Sequence, residues 1–149
     1  MSNSQIFANR NALHATMCSF LGLSARDLAE IGGFSDRFAR DLLAGRRPFP
    51  SDVKGTLEQL LVDFQTIVAA VVLDAQDGNR EVFIYRSNEQ LRASPVGRIW
   101  SAKGKLAGGF AGLYRAAVFT AWRKLLDQKI ELELVFATTP QVSGQPELD

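Results

Sequence analysis

The chain has 149 residues, enough for one domain or for two small lobes that share a core. Its apolar fraction of 46% and charged fraction of 22% are ordinary for a globular chain and exclude a collagen-like, disulfide-stapled or disordered one. The net charge of +1 conceals a division. Residues 1–75 carry seven Lys/Arg against eight Asp/Glu, residues 76–129 carry ten against four, and the last twenty carry four acids and no base. Cys18 is the one cysteine, so it has no partner within the chain and reads as a buried thiol.

Met1 to Arg10 lacks an apolar core behind a basic start, so no signal peptide is expected. The longest apolar run, Leu60 to Leu73, is broken by Asp63 and Gln65 and falls short of the roughly 20 residues a bilayer needs. A cytoplasmic location without membrane contact is the expectation.

In chain order, Ala8 to Leu21 has helical apolar spacing and stops at Gly22. Ser24 reads as the N-cap of a short helix, Ala25 to Ile31, followed by a Gly32-Gly33 turn that tolerates positive φ. Ser35 caps a third helix that runs to Leu43 or Ala44 and ends at Gly45. Pro48 and Pro50 bracket an extended link, and Ser51-Asp52 caps a long fourth helix. Its apolar stripe is Val53, Leu57, Leu60, Leu61, Phe64, Ile67, Val68 and Val71.

Asp77-Gly78-Asn79 signals a turn and a lobe boundary. Beyond it come a strand at Val82 to Tyr85, a helical turn at Asn88 to Ala93, and a break at Pro95 and Gly97. Phe110 to Gln128 reads as a helix, with Leu113, Ala117, Phe119 or Thr120, Trp122 and Leu126 recurring at its spacing. Ile130 to Phe136 alternates as a half-exposed strand. The expected fold is mainly α, α+β overall: an N-terminal four-helix lobe over residues 1–75, a C-terminal α+β lobe over 76–137, and a disordered tail over 138–149.

The segment Leu23 to Arg47 runs cap, short helix, glycine turn, cap, second helix, glycine, basic pair. It resembles the Xre/Cro-type helix-turn-helix on Leu28, Ala29, Gly33, Phe34, Leu42, Gly45 and Arg46. It departs at Ala39, where a branched or aromatic residue is usual, and at Phe38, where a small polar one is usual. Two readings stand: Phe38 supplies the missing core bulk, which we expect, or it lies on the DNA face near a thymine methyl. PFPSDV, the long helix, the DG turn, the Phe/Tyr strand and the aromatic helix together are similar in order to the two-domain anti-CRISPR-associated repressors, over roughly residues 10 to 122.

That resemblance implies a homodimeric repressor with a C-terminal dimerisation lobe. It would bind an inverted repeat in double-stranded DNA and silence its own operon; some such regulators also bind messenger RNA. The expected DNA-binding residues are Ser24, Ser35, Asp36, Arg37, Arg40, Arg46 and Arg47. Arg37 and Arg40 lie three apart on one helix face, where arginine can pair with guanine or grip phosphate. Arg46 and Arg47 follow the helix stop as phosphate anchors. Ser24 and Ser35 are caps first, and Asp36 first stabilises the helix N-terminus, with a cytosine amine as its other partner.

One histidine, His14, serves the whole chain, so no catalytic triad, metal site or cofactor is expected. Gly104-Lys105 and Gly108-Gly109 lack the order of a phosphate-binding loop. Arg86, Arg92, Arg98, Lys103 and Lys105, beside Tyr85 and Trp100, make a basic aromatic segment. It carries the alternative expectation of an RNA-binding or antitoxin-like regulator. A ligand-sensing C-terminal lobe is a second alternative.

Overall fold

The computed structural model describes residues 8–99 and 109–138. Among them the chain is mainly helical, with a small two-stranded parallel sheet. The helices are α1 (Ala12–Phe20), α2 (Ala25–Gly32), α3 (Asp36–Leu43), α4 (Ser51–Gln76), α5 (Asn88–Arg92) and α6 (Ala111–Asp127). The strands are β1 (Glu81–Ile84) and β2 (Glu133–Phe136), and a short 3-10 helix spans Pro95–Ile99. Of the expected disordered tail only Thr138 is described; residues 139–149 lie outside the described residues, as do Trp100, Lys103, Gly104, Lys105 and Gly108.

The chain divides into two compact units, Met1–Val62 and Asp63–Asp149, and the division falls inside α4. In the first unit α2 and α3 pack on one another across the turn Gly33–Ser35, and α1 packs on α3. The apolar residues that close this core are Cys18, Leu21, Leu28, Leu42 and Leu57, all fully buried. Ala29 lies among them, a small side chain that lets two helices approach closely. α1 begins later than its apolar spacing suggests, because Asn9 and Asn11 are engaged elsewhere; the Asn9 side chain accepts from the Asn11 amide at 3.0 Å.

The buried face of α4 is Val53, Leu57, Leu60, Phe64, Ile67, Val68, Val71 and Ala75. Among the described residues α4 is the one helix long and apolar enough to span a membrane. Its 26 residues exceed the run between Leu60 and Leu73, because the charged ends are helical too. Ser51 and Asp52 form its first turn rather than its cap, and Lys54 N–H donates to the Pro50 carbonyl at 3.0 Å.

In the second unit β1 and β2 pair in parallel, with Glu81 opposite Glu133 and Ile84 opposite Phe136. A parallel pair needs a long crossover, and here α5 and α6 lie between the strands, with α6 packed on both α5 and β1. Ser87 caps α5 through the Gln90 amide, and Asn88 Oδ1 accepts from Ala111 N–H at 2.8 Å at the start of α6. Gln90 ties the strand ends together, accepting from Arg86 N–H and donating to the Ala137 carbonyl.

The inward face of α6 is Leu113, Tyr114, Ala117, Val118, Ala121 and Leu125, with Phe110 buried just before it. The sequence pattern admits two apolar faces on this helix, and the one holding Phe119 and Leu126 points outward. Phe119 is 52% exposed and Leu126 49% exposed. Phe119 stacks on Trp122 with ring centroids 5.4 Å apart and planes within 17°.

Candidate nucleic-acid interface

The site begins with two capped helices. Ser24 Oγ accepts from Asp27 N–H at 3.0 Å while Asp27 Oδ2 accepts from Ser24 N–H at 3.0 Å, a reciprocal capping box. Gly33 follows α2 with φ of 71°, a left-handed conformation that suits glycine. Ser35 Oγ accepts from Phe38 N–H at 3.1 Å, which fixes the start of α3. Both serines are therefore caps, as expected. Asp27, buried beneath the first cap, is absent from the expected site residues, although S-x-x-D before an apolar run carries its signal.

α3 buries Ala39 and Leu42 and turns Asp36, Arg37 and Arg40 to solvent. Arg37 and Arg40 lie on the exposed side of an eight-residue helix, with no ion pair or hydrogen bond from either side chain among the described residues. Asp36 occupies the first turn, where a carboxylate complements the helix N-terminus.

Phe38 corrects the expectation of a core aromatic. The fully buried residue here is Ala39; Phe38 is half-buried, one step around the helix. Its ring meets Phe34 edge-on with centroids 4.7 Å apart, and the Arg47 guanidinium lies 5.3 Å above it. The missing bulk at Ala39 is met by close approach of the helices instead, consistent with the packing of α3 on both α1 and α2.

Arg46 and Arg47 are exposed and share one carboxylate. Asp41 Oδ1 receives Arg46 at 3.1 Å, and Asp41 Oδ2 lies 3.9 Å from Arg47. Gly45, with φ of 78°, turns the chain out of α3 just before this pair. Its carbonyl accepts from the side-chain amides of Asn9 at 2.8 Å and Asn11 at 3.1 Å, so the segment before α1 fixes the exit from α3. These long-range contacts have no signature in the sequence. Arg26, exposed in the first turn of α2, is a further cation outside the expected set.

The C-terminal basic segment is more engaged. Arg92 Nε donates to the Gly109 carbonyl at 2.7 Å and its guanidinium lies 5.1 Å from the Phe110 ring centre. Arg86 lies 3.9 Å over the Phe136 ring. His14 is buried, with Nε2 3.1 Å from Glu58 Oε2 and its ring 5.8 Å from that of Phe49. No cluster of His, Cys, Asp or Glu able to hold a metal occurs among the described residues.

Comparison with known protein families and with curated proteins returns no match for this chain.

Proposed function

We propose that this protein is a sequence-specific DNA-binding transcriptional repressor in which α2 and α3 form a helix-turn-helix and α3 enters the major groove. The observation that carries the reading is the outer face of α3, where Arg37 and Arg40 stand exposed and uncommitted among the described residues behind a capped N-terminus. Two short helices joined by a glycine-containing turn of three residues are the geometry such readers use. Arg46 and Arg47, past the end of α3, are anchors for the backbone beside the groove.

In this reading the four N-terminal helices form the DNA-binding lobe and the remainder forms an α+β dimerisation lobe. A second copy covers the outward stripe Phe119, Trp122 and Leu126 of α6, because the exposed Phe119 and Leu126 flank a half-buried Trp122 on one helix face, an apolar surface that a dimer would bury. The homodimer binds an inverted repeat with half-site centres about 10 base pairs apart. It works in the cytoplasm as a regulator of its own operon, in the manner of the anti-CRISPR-associated repressors, without enzymatic activity or a cofactor. Messenger RNA is a further partner, as it is for some regulators of that kind.

Salt-dependent binding isotherms on inverted-repeat duplexes, single half-sites and RNA hairpins test this. Binding of a two-fold protein to the repeat, weaker on the half-site, supports it. Binding to RNA hairpins with none to duplex DNA refutes it and favours the basic C-terminal segment.

A further inference from the structure

A second cationic feature lies in the first unit, on residues outside α3. Arg10, Asn11, Leu13, His14, Phe49 and Lys54 line a cleft of about 190 Å³ between the start of α1 and the first turn of α4. At ~30 Å³ per water molecule, that is room for a phosphoryl group and its nearest waters. Two cations 44 positions apart in sequence, Arg10 and Lys54, border it, and both are exposed. Neither side chain has an ion pair among the described residues, and the nearby carboxylate of Glu58 is already bonded to His14. Among the described residues no acidic side chain lines the cleft.

The cleft is also built to be held. Phe49, 6% exposed, is buried beside the cleft and packs against His14, which Glu58 fixes in place. Asn11 lines one wall and donates to the carbonyl of Gly45, the residue just before Arg46 and Arg47. Asn9 donates to the same carbonyl, so Arg10 is bracketed by two anchored neighbours. The cleft is thereby tied to the basic exit of α3. The first turn of α4 adds the favourable end of a long helix dipole, which the exposed Asp52 in that turn offsets in part.

We infer that this cleft is a phosphoryl-binding site, with Arg10 and Lys54 as its two charged contacts and Asn11 as its polar one. Resting on the DNA-binding reading, the phosphoryl group is a backbone phosphate of the duplex that flanks the groove. The same chemistry would hold a free phosphate, and the two sources are separable.

The test measures Arg10→Ala and Lys54→Ala in the full chain on two arms. In the first, binding to operator and scrambled duplexes is followed across salt concentration. Each variant should weaken both duplexes alike and lower the salt slope by about one. In the second, inorganic phosphate is titrated while the His14 ring protons are followed by NMR, with sulfate as a size-matched control. A saturable shift that both variants abolish assigns the site to free phosphate; losses in the first arm alone assign it to the duplex. Unchanged duplex affinity and slope in both folded variants, with no saturable phosphate shift, overturn the site. If the parent binds no duplex at all, the DNA-binding reading fails and the phosphate titration alone decides the cleft.

Discussion

The ring of Phe34 lies where a side chain on Gly32 would have to go. A Cβ built on Gly32 runs into Cε2, Cζ and Cδ2 of that ring. The same ring packs edge-on against Phe38 at 4.7 Å, so moving it disturbs the start of α3. Gly32→Ala should therefore destabilise the fold by about 1–2 kcal/mol, since overpacking outweighs the helix preference of alanine at a last-turn position. In a Phe34→Ala background the same substitution should cost nothing further. Urea unfolding of the four proteins of this cycle measures the coupling; equal effects of Gly32→Ala in both backgrounds would refute the contact.

What is legible in the sequence is the local chemistry of this region. Ser24, Ser35, Gly33 and Gly45 announce their caps and turns because each acts within three or four residues. Phe38 misleads because adjacent residues on a helix differ by a quarter turn or more, and Ala39 gives too weak an apolar signal to claim the core. α6 carries apolar residues on two faces, and periodicity cannot say which face packs inward. The parallel register of β1 and β2, the Asn9 and Asn11 clasp on Gly45, and the His14–Glu58 contact join distant segments. No local pattern encodes such pairings. For that reason the cleft beside Lys54 is invisible in sequence, although both of its cations are in plain sight.

Cys18 is wholly buried, and burial pushes its thiol up to about 11 from 9.0. That rise cuts the thiolate fraction at pH 8 about 100-fold, since each step of one in pKa is a factor of ten. Ellman's reagent should leave the native protein unlabelled over hours and label it within seconds in denaturant. Rapid labelling of the folded chain would place Cys18 at the surface, contrary to its position in the core.

Tyr114 is held neutral in the same way. Burial, then the charges of Tyr85 and Asp74, push its hydroxyl up to about 12 from 10.0. The folded state therefore holds this proton more tightly than the unfolded one. Its stabilising contribution is complete below pH 10 and is lost as the pH rises toward 12. Tyr85 and Tyr114 are the two tyrosines of the chain. A Tyr85→Phe variant thus leaves a single phenolate band in ultraviolet titration, which should appear late and together with unfolding. A midpoint near 10 with the fold intact would contradict the burial of Tyr114.

The outward stripe of α6 makes a prediction about assembly. Phe119 and Trp122 stack on one another, and no described residue of the chain buries Phe119. Phe119→Ser with Trp122→Ser should convert a dimer to a monomer in light scattering while circular dichroism stays helical. The monomer should lose operator affinity far more than half-site affinity, because only the repeat needs two linked copies. A dimer that persists in this variant would remove α6 from the interface.

The last prediction separates reading from anchoring. Arg37 and Arg40 project from α3 itself, whereas Arg46 and Arg47 follow Gly45 and share the carboxylate of Asp41. Truncating an arginine that meets a base edge should cost about 1–3 kcal/mol on operator and relax preference at one position. Truncating an arginine that meets phosphate should weaken every duplex alike and lower the salt slope by about one. Arg37→Ala or Arg40→Ala should therefore narrow the gap between operator and scrambled duplex, and Arg46→Ala or Arg47→Ala should lower both affinities together. Asp41→Asn removes the carboxylate that pairs with Arg46 and Arg47, and if these two are anchors it should raise affinity for all duplexes by at most about fivefold, the worth of one exposed ion pair. Isotherms on both duplexes at several salt concentrations, with folding checked by circular dichroism, measure all five variants. If the four arginine variants fold and bind operator like the parent, α3 does not enter the groove. A rise in affinity on Asp41→Asn confined to operator would instead make Arg46 and Arg47 readers of sequence, because a phosphate contact cannot tell one duplex from another.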